Sequence, residues 1–340
     1  MKIHELNAET SYVIDPVASR MGNQHIRCLK NKYVLSSRRR HRFCFHQNAN
    51  VDLHDIIICY DRASYIPPNK HIGKVESLLL LAGELEFYLF SDTGMVYDFR
   101  RLSTSQSGQP FYIRVPHNTW HGLRAVGDEP CIIKETISGP YDNSSLQWAE
   151  FAPSESEGSE KGFNWYDQIK MECERQSIGI PEEETFQQVN ENVFRTTRQL
   201  LTVNRDQLKP VFEAAIASPL KRARLCCHSG PEEKLQEMFI VLAKDVDIQE
   251  SVHLRKDESL TVIAGTGRYL FLNEDGTQRV QYSLGVFDEN SREDRQFFTR
   301  INRYVPHKIE VESDFLLIHE ATTGPFQKAD TDYRIKLVDQ

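Results

Sequence analysis

Two histidines and one glutamate recur at matched positions in the two halves of this sequence. His71 lies five residues before Glu76. His253 lies at the same distance before Glu258. On one unbroken strand an odd spacing would put the two side chains on opposite faces, so we predict a turn between them, which Gly73 can supply in the first half. Both side chains of each pair can then point into one cavity.

A third ligand follows later in each half. It is His121 in the segment PHNTWH and His307 in the segment RYVPH. The VPH of the second half can also be aligned with His117. We prefer His121, because it lies 14 residues before Glu135 while His307 lies 13 residues before Glu320.

Two imidazoles and one carboxylate suit a divalent transition metal. Such a site leaves coordination positions open and is typical of non-haem Fe(II), and the same ligands accept zinc, nickel or manganese. A lone His–Glu pair is more often part of an ordinary polar cavity, but its repetition in both halves favours a metal site. The sequence therefore predicts a metal site in each half, with Fe(II) as the preferred ion.

The chain contains an internal duplication. With a shift of 182 residues, Ser36–Gly94 matches Ser218–Gly276 without a gap and with 16 identities in 59 positions. The match resumes further on, where Lys134–Tyr141 resembles His319–Phe326 at a shift of 185 residues. A repeat of this length is a whole domain, too long for a solenoid unit.

Each copy has the pattern of a β fold. Short apolar stretches alternate with turn formers, and LEFYLF-SDTG-MVYDF is typical of a hairpin. Regularly spaced short strands indicate a sandwich or barrel. We predict a mainly β chain of two tandem barrels with a few flanking helices. The predicted boundaries are an N-terminal domain at 1–155, a connector at 156–195 and a C-terminal domain at 196–340.

Composition excludes several classes of protein. The 340 residues carry a net charge of −8, so the basic surface typical of nucleic-acid binding is absent. No apolar run reaches the length of a membrane span, and the first residues lack the apolar core of a signal peptide. Seven cysteines without a CxxC pair fit a reducing cytoplasm. We expect a cytoplasmic protein whose partner is a small polar ligand or substrate, without nucleic acid or membrane.

The motifs resemble a known family. RRRHRFCFH, YIPPNKHIGKVESLLLLAG, WHGLRA, KETISGPYD and WAEFAPSE are similar to the WbuC-type cupin-fold metalloproteins over about residues 36–155, and more weakly over 218–326. The resemblance implies a double-stranded β-helix with a metal deep in the barrel. It also implies a setting in surface-polysaccharide or O-antigen biosynthesis.

The sequence departs from that family at one ligand position. The family usually carries His-x-His in its first motif, and here Asn69 and Ser251 occupy the first of those positions. Each can be a weak ligand or a hydrogen-bond partner of a metal-bound water. Loss of function at that position is the alternative.

Other residues are candidates for binding and catalysis. Arg42, His46, Arg224 and His228 resemble residues near the mouth of the family's pocket, where an arginine can bind a carboxylate, phosphate or sugar hydroxyl. A structural salt bridge is the alternative. Glu135 and Glu320 are candidate proton-transfer residues, and anchoring of the following Gly-Pro turns is their alternative role. Tyr65 and Trp120 are candidate sugar-stacking aromatics, for which core packing is the default.

Two functions fit these patterns. The first is a metal-dependent enzyme acting on a small polar metabolite, such as a sugar or sugar nucleotide, as an isomerase, epimerase or non-haem iron oxygenase. In it Glu135 and Glu320 move protons while Arg42 and Arg224 orient the substrate. The second is a non-catalytic ligand-binding or regulatory protein with structural or absent metal. The first copy matches the family better and is expected to carry the activity. A homodimer or an intramolecular pseudo-dimer is expected from the resemblance.

Overall fold

The computed structural model describes residues 2–106, 108–179, 186–291 and 293–334. Strands dominate these residues, and they form two successive β domains with few helices. No helix in the described ranges is long and apolar enough to cross a membrane.

The described strands of the first half form two facing sheets, except the third strand, which pairs with the second half. They are β1 (Lys2–Asn7), β2 (Thr10–Ile14), β3 (Ala18–Gly22), β4 (Arg40–Cys44), β5 (Leu53–Tyr60), β6 (Asn69–His71), β7 (Glu76–Ala82), β8 (Glu84–Phe90), β9 (Val96–Ser103), β10 (Tyr112–Val115), β11 (Trp120–Val126), β12 (Cys131–Ser138) and β13 (Leu146–Trp148). The helices α1 (Asn23–Leu35) and α2 (Ser159–Gln176) flank them.

The second half repeats this order. Its strands are β14 (Phe186–Asn190), β15 (Val193–Thr196), β16 (Leu201–Val203), β17 (Arg222–Cys226), β18 (Leu235–Ala243), β19 (Val252–His253), β20 (Glu258–Ala264), β21 (Gly267–Leu272), β22 (Gln278–Leu284), β23 (Gln296–Ile301), β24 (His307–Val311), β25 (Phe315–Thr323) and β26 (Thr331–Asp332). The helix α3 (Lys209–Ala217) occupies the position that α1 has in the first half.

The wall of the first barrel consists of two sheets. One sheet runs β1-β2-β4-β5-β12-β7-β10-β16, and the other runs β13-β6-β11-β8-β9. In the second half, the path β14-β15-β17-β18-β25-β20-β23-β22-β21-β24 follows the same succession, and β19 pairs with β26 as β6 pairs with β13. The predicted hairpins form as β8–β9 and β21–β22, with Gly94 at φ +84° in the first turn.

The apolar residues of the central strands are buried on both faces of the sheet, and each face packs against a different part of the protein. In β7, Leu78 and Leu80 join the core inside the first barrel. Leu79, which alternates with them, packs on the opposite face against residues of the second half such as Phe239 and Leu317. Because both faces are buried, the strand is apolar throughout and lacks the alternation of a half-exposed strand.

The two halves exchange strands reciprocally. β16, from the start of the second half, pairs with β10 of the first and places Leu201 opposite Arg114. β3, from the start of the first half, pairs with β23 of the second and places Ser19 opposite Arg300. Each barrel therefore needs a strand from the other, and the two halves pack as an intramolecular pseudo-dimer. A homodimer of the whole chain stays a prediction.

A buried acid at the interface binds residues of both halves. The carboxylate of Asp55 lies 2.6 Å from Arg300 Nη1 and accepts a 2.8 Å hydrogen bond from Ser259 Oγ, both in the second half. Lys134 Nζ, from its own half, lies 3.1 Å away. Asp55 and Lys134 have essentially no exposed surface.

The pseudo-equivalent acid is Glu237. It receives hydrogen bonds from Arg114, Ser77 and Tyr112 of the first half. His319 of its own half lies 3.5 Å away, at the position that Lys134 holds around the other acid. Each acid is thus shared between the barrels, so the interface is ionic as well as apolar.

The predicted connector contains structured segments. β14 and all but the last residue of β15 lie within 156–195, and the two strands extend the sheet of the second half through β17. α2 lies there too, and its Tyr166 hydroxyl donates a 3.0 Å hydrogen bond to the carbonyl of Ile66 in the first half. Residues 180–185 of this connector, and 335–340 of the predicted C-terminal domain, lie outside the described residues. The predicted boundaries stay a prediction.

Removing one partner of a buried ion pair is costly because the other charge is left without compensation. We therefore expect Arg300→Ala to lower the free energy of unfolding by about 3–5 kcal/mol. The matched control is Arg101→Ala, which removes a partly exposed pair with Glu84 and should cost about 0–1 kcal/mol. Urea unfolding followed by circular dichroism measures both. An Arg300→Ala loss no larger than that of the control would contradict the role of the interface charges.

Candidate metal centre

The first half brings His71, Glu76 and His121 together. One potential ligand atom from each residue lies within 4.8 Å of the others. His71 Nε2 is 3.6 Å and His121 Nε2 is 3.0 Å from Glu76 Oε2. All three side chains are at most one-tenth exposed. Two imidazole nitrogens and a carboxylate oxygen therefore converge in the interior of the barrel.

Local structure explains how residues five apart meet. His71 ends β6, and Glu76 begins β7. Gly73 lies between them at φ +66°, a conformation that glycine adopts without steric cost. The predicted turn is therefore present and reverses the alternation of side chains.

The orientation of His121 is fixed by its second ring nitrogen. Its Nδ1 lies 3.0 Å from the carbonyl oxygen of Thr119. Since a carbonyl only accepts, Nδ1 carries the hydrogen, and the Nε2 lone pair is left for a cation. Phe87 stacks on the same ring with centroids 5.5 Å apart. His307 repeats this arrangement, with Nδ1 2.8 Å from the carbonyl of Val305.

Two buried polar atoms at the first triad have no hydrogen-bond partner among the described residues. They are Asn69 Oδ1 and His71 Nδ1. Asn69 is directly opposite His121 in the β6–β11 pair. Buried polar atoms are normally bonded, so such a set beside two imidazoles indicates a place for a cation and its water. The donor set fits a divalent transition metal, and Asn69 lies next to the triad; its role as a weak ligand or water partner stays a prediction.

The second half contains the same triad. The ligand atoms of His253, Glu258 and His307 lie within 4.8 Å of one another. His307 is opposite Phe271 in its sheet, whereas His121 is opposite Leu89. Positions 89 and 271 differ by the 182 residues of the repeat, so His121 is the structural counterpart of His307.

Hydrogen bonds within the protein satisfy the second triad. His253 Nε2 lies 2.7 Å from Glu258 Oε2. The hydroxyl of Tyr269 donates a 3.0 Å hydrogen bond to Glu258 Oε1. Thr331 Oγ1 lies 3.2 Å from His253 Nδ1. Phe87 replaces Tyr269 in the first half, so the two centres differ in how their carboxylates are held.

Charge within each triad outweighs the effect of burial on the acid. Burial raises the pKa of Glu76, but His71 and His121 lower it more, and it ends below its usual value. Burial raises the pKa of Glu258 as well, and His253 then lowers it to about 2. Both carboxyl groups are therefore ionised at neutral pH, as metal ligands must be.

A second acid lies beside each triad. Glu135 is on β12, on the same face as Ile137, which is opposite Glu76. Burial and the charge of Glu76 raise the pKa of Glu135 to about 8, while Arg42 opposes the shift. Glu320 holds the same place in the second half, where burial and Glu258 raise its pKa to about 7. The structure thus places both predicted proton-transfer residues beside the triads.

The predicted arginines face the barrel interiors. Arg42 is opposite Ile58 on β5, and Ile58 is opposite Ile133, two residues from Glu135. Arg224 and Glu320 both line a cavity of about 900 Å³ in the second barrel. Arg42 and Arg224 are therefore within their barrels on the side of the acids.

The predicted aromatic residues lie elsewhere. Tyr65 and Trp120 belong to the aromatic cluster under α2, together with Tyr166 and Phe163. The Tyr65 hydroxyl donates to the carbonyl of Pro153. Trp120 precedes His121 on β11, so it points to the opposite face of the strand. This placement favours core packing, and a role of Tyr65 and Trp120 in substrate binding stays a prediction.

His46 and His228 also serve the interface. His46 Nδ1 lies 3.3 Å from the carbonyl of Asp55, and its ring packs on His54. His228 Nδ1 lies 3.0 Å from the carbonyl of Glu237. Both rings hold the backbone of the shared interface acids. These contacts favour a structural role, and a role of His46 and His228 in substrate binding stays a prediction.

The sequence interpretation missed the residues that orient the ligands. Tyr269 and Phe87 occupy one position of the repeat, and aligning the halves could have shown that difference. The hydrogen bond from His121 to the Thr119 carbonyl could not be predicted, because every residue has a backbone carbonyl and the sequence does not show which one a histidine contacts.

Comparisons with known proteins support the duplicated architecture. A family described as "Domain of unknown function (DUF6016)" matches residues 22–102 and 203–284, two segments offset like the internal repeat. A search of curated proteins finds no match. The solved salicylate 1,2-dioxygenase of Pseudaminobacter salicylatoxidans is similar at 12% identity and TM-score 0.56, covering 98% of this chain and 90% of that chain.

The gentisate adduct of the same enzyme matches at 12% identity and TM-score 0.56, over 98% of this chain and 87% of that one. At this identity the likeness concerns the fold. This chain has a duplicated cupin fold. Each half of the bicupin is one double-stranded barrel, as the sequence predicted.

Protonation of Glu135 makes stability depend on pH. Between the ordinary pKa of 4.5 and about 8, the folded bicupin holds a proton that the unfolded chain has lost. Its contribution to the free energy of unfolding therefore falls as pH rises through that window. We expect metal-free Glu135→Gln to gain stability relative to the wild type from about pH 5 to about pH 8.

Urea titrations at several pH values measure this difference. Glu320→Gln should show the same trend over a window that ends near pH 7, where its pKa lies. A difference that stays flat or falls with pH would show that these carboxyl groups are ionised in the folded chain.

Proposed function

We propose that this bicupin is a metal-dependent enzyme acting on a small polar metabolite. The observation that carries the proposal is the convergence of two imidazoles and a carboxylate within 4.8 Å in each barrel. His71, Glu76 and His121 would hold the ion in the first barrel, with Asn69 beside it. His253, Glu258 and His307 would hold one in the second.

A bound divalent cation would supply Lewis-acid polarisation of a substrate carbonyl or hydroxyl oxygen, and oxygen chemistry if it is iron. The residues of the chain provide the rest. Glu135 has a pKa of about 8, so near neutral pH its carboxyl can give a proton or take one back. Arg42 faces the same interior and can orient an anionic oxygen of the substrate.

The proposed substrate class is a small polar molecule. The solved neighbour with gentisate bound supports a cavity for a small molecule in this architecture. Non-haem Fe(II) is the proposed ion because the ligand set is two histidines and one carboxylate. A sugar or sugar nucleotide of surface-polysaccharide biosynthesis is proposed on the motif resemblance alone, with isomerisation, epimerisation and oxygenation as the candidate reactions.

Elemental analysis tests the proposal directly. Protein purified without added metal should carry iron, or zinc, nickel or manganese, at near-integral stoichiometry, and His71→Ala should lose the ion of the first barrel because one of three ligands is gone. His117→Ala is the matched control, since His117 is an exposed histidine near the same turn and does not belong to the triad. Metal content that is equal in both variants would contradict the assignment of His71.

A ligand-binding bicupin without catalysis is the second candidate. The observation that favours it is the second triad, whose carboxylate is already bonded by Tyr269 and His253. Absence of metal from every preparation, together with unchanged folding of His71→Ala and Glu76→Ala, would support this candidate and exclude the first.

A further inference from the structure

The second barrel contains a cavity of about 900 Å³, which is within the range of small-molecule sites. Its wall is formed largely by aliphatic side chains, four from strands of the second half and one, Ile248, from the segment between β18 and β19. They are Ile240, Leu242, Ile248, Ile309 and Ile318. Phe326 and Tyr333 also line it. An apolar or aromatic body of a ligand can therefore pack against most of this surface.

Two guanidinium groups face the same cavity. Arg222 and Arg224 are two residues apart on β17, so their side chains share one face of the strand. Within the described residues, neither guanidinium forms a hydrogen bond or an ion pair. Both residues are exposed. A pair of free guanidinium groups at an apolar cavity is suited to a carboxylate or a phosphate.

The cavity also contains carboxyl groups. Glu191 and Glu320 line it together with the cationic Lys328. With both arginines counted, three cationic side chains therefore face two acidic ones. Arg222 and Arg224 lie on one face of β17, so this strand supplies two of the three cationic side chains.

The first barrel uses the corresponding arginine differently. Arg40 occupies the position of Arg222 and is only 7% exposed. It donates to the carbonyl of Tyr65 at 3.1 Å and to Glu155 Oε1 at 2.6 Å. The arginine at this position of the repeat is therefore hydrogen-bonded within the protein in the first barrel, whereas it lines the cavity in the second barrel.

From these observations we propose that the second barrel binds an amphipathic anion. Arg222 and Arg224 hold its carboxylate or phosphate, and its apolar body packs against Ile240, Ile309 and Ile318. Such binding requires no metal in either barrel. It therefore goes beyond the proposed function and can succeed or fail independently of it.

Isothermal titration of the full chain, treated with EDTA, tests this site. The probes are octanoate, octyl phosphate and 1-octanol, which share an apolar chain and differ in the head group. We expect octanoate or octyl phosphate to bind at least about tenfold more tightly than 1-octanol. The tighter of the two anions identifies whether the natural head group is a carboxylate or a phosphate. Equal affinity for all three probes, or no binding, would overturn the proposal.

Variants locate the anion. Arg224→Gln should weaken binding of the tighter anion at least about tenfold, and Arg222→Gln should weaken it in the same direction. Arg279→Gln is the matched control, because it removes an exposed arginine of the same barrel that does not line the cavity, and it should leave affinity within about twofold. Circular dichroism confirms that each variant is folded. Unchanged affinity in Arg224→Gln, or an equal loss of affinity in Arg279→Gln, would overturn the proposal.

Discussion

The alternation of side chains along the central strands connects each candidate metal centre to the interface between the barrels. Glu76 points into the first barrel, and the next residue, Ser77, donates a hydrogen bond to Glu237 of the second half. Lys134 contacts the interface acid Asp55, and the next residue, Glu135, lies beside the triad. Since neighbouring residues on a strand point to opposite faces, the position of each acid at the site is coupled to a buried ionic contact one residue away.

This arrangement has an energetic consequence for the architecture. A buried carboxylate without a partner is strongly unfavourable, so Asp55 and Glu237 require cations or donors from the opposite half. On the exchanged strands, a residue of β3 lies opposite Arg300 and a residue of β16 lies opposite Arg114 in the strand pairing. The two barrels therefore depend on each other for folding as well as for the placement of their site residues.

The duplicated halves have diverged in complementary ways. Within the described part of the chain, Asn69 Oδ1 and His71 Nδ1 of the first centre are buried without hydrogen bonds, whereas Tyr269 completes the bonding of Glu258 in the second. In contrast, Arg40 is tied to Glu155 in the first barrel, and its counterpart Arg222 faces a cavity. The first barrel has the features of a cation site, and the second has those of a ligand site.

Much of this could be read from the sequence. The repeat located the strands, and the recurring spacing of His71 and Glu76 identified the triads because ligand geometry constrains both residue type and separation. Trp120 was predicted to bind substrate beside His121, but strand alternation turns the two side chains to opposite faces, which the motif alone does not show. The roles of His46 and Asp55 could not be predicted, because they arise from the packing of one half on the other, which leaves no periodic pattern in a single chain.

We expect the first triad to bind a divalent cation. Anomalous diffraction from a crystal of the purified chain, recorded at the absorption edge of the metal found by elemental analysis, tests it most directly. The account predicts a peak about 2.0–2.2 Å from His71 Nε2, His121 Nε2 and a Glu76 carboxylate oxygen. Three side chains hydrogen-bonded only to one another or to water, with no anomalous peak between them after metal is added, would contradict it.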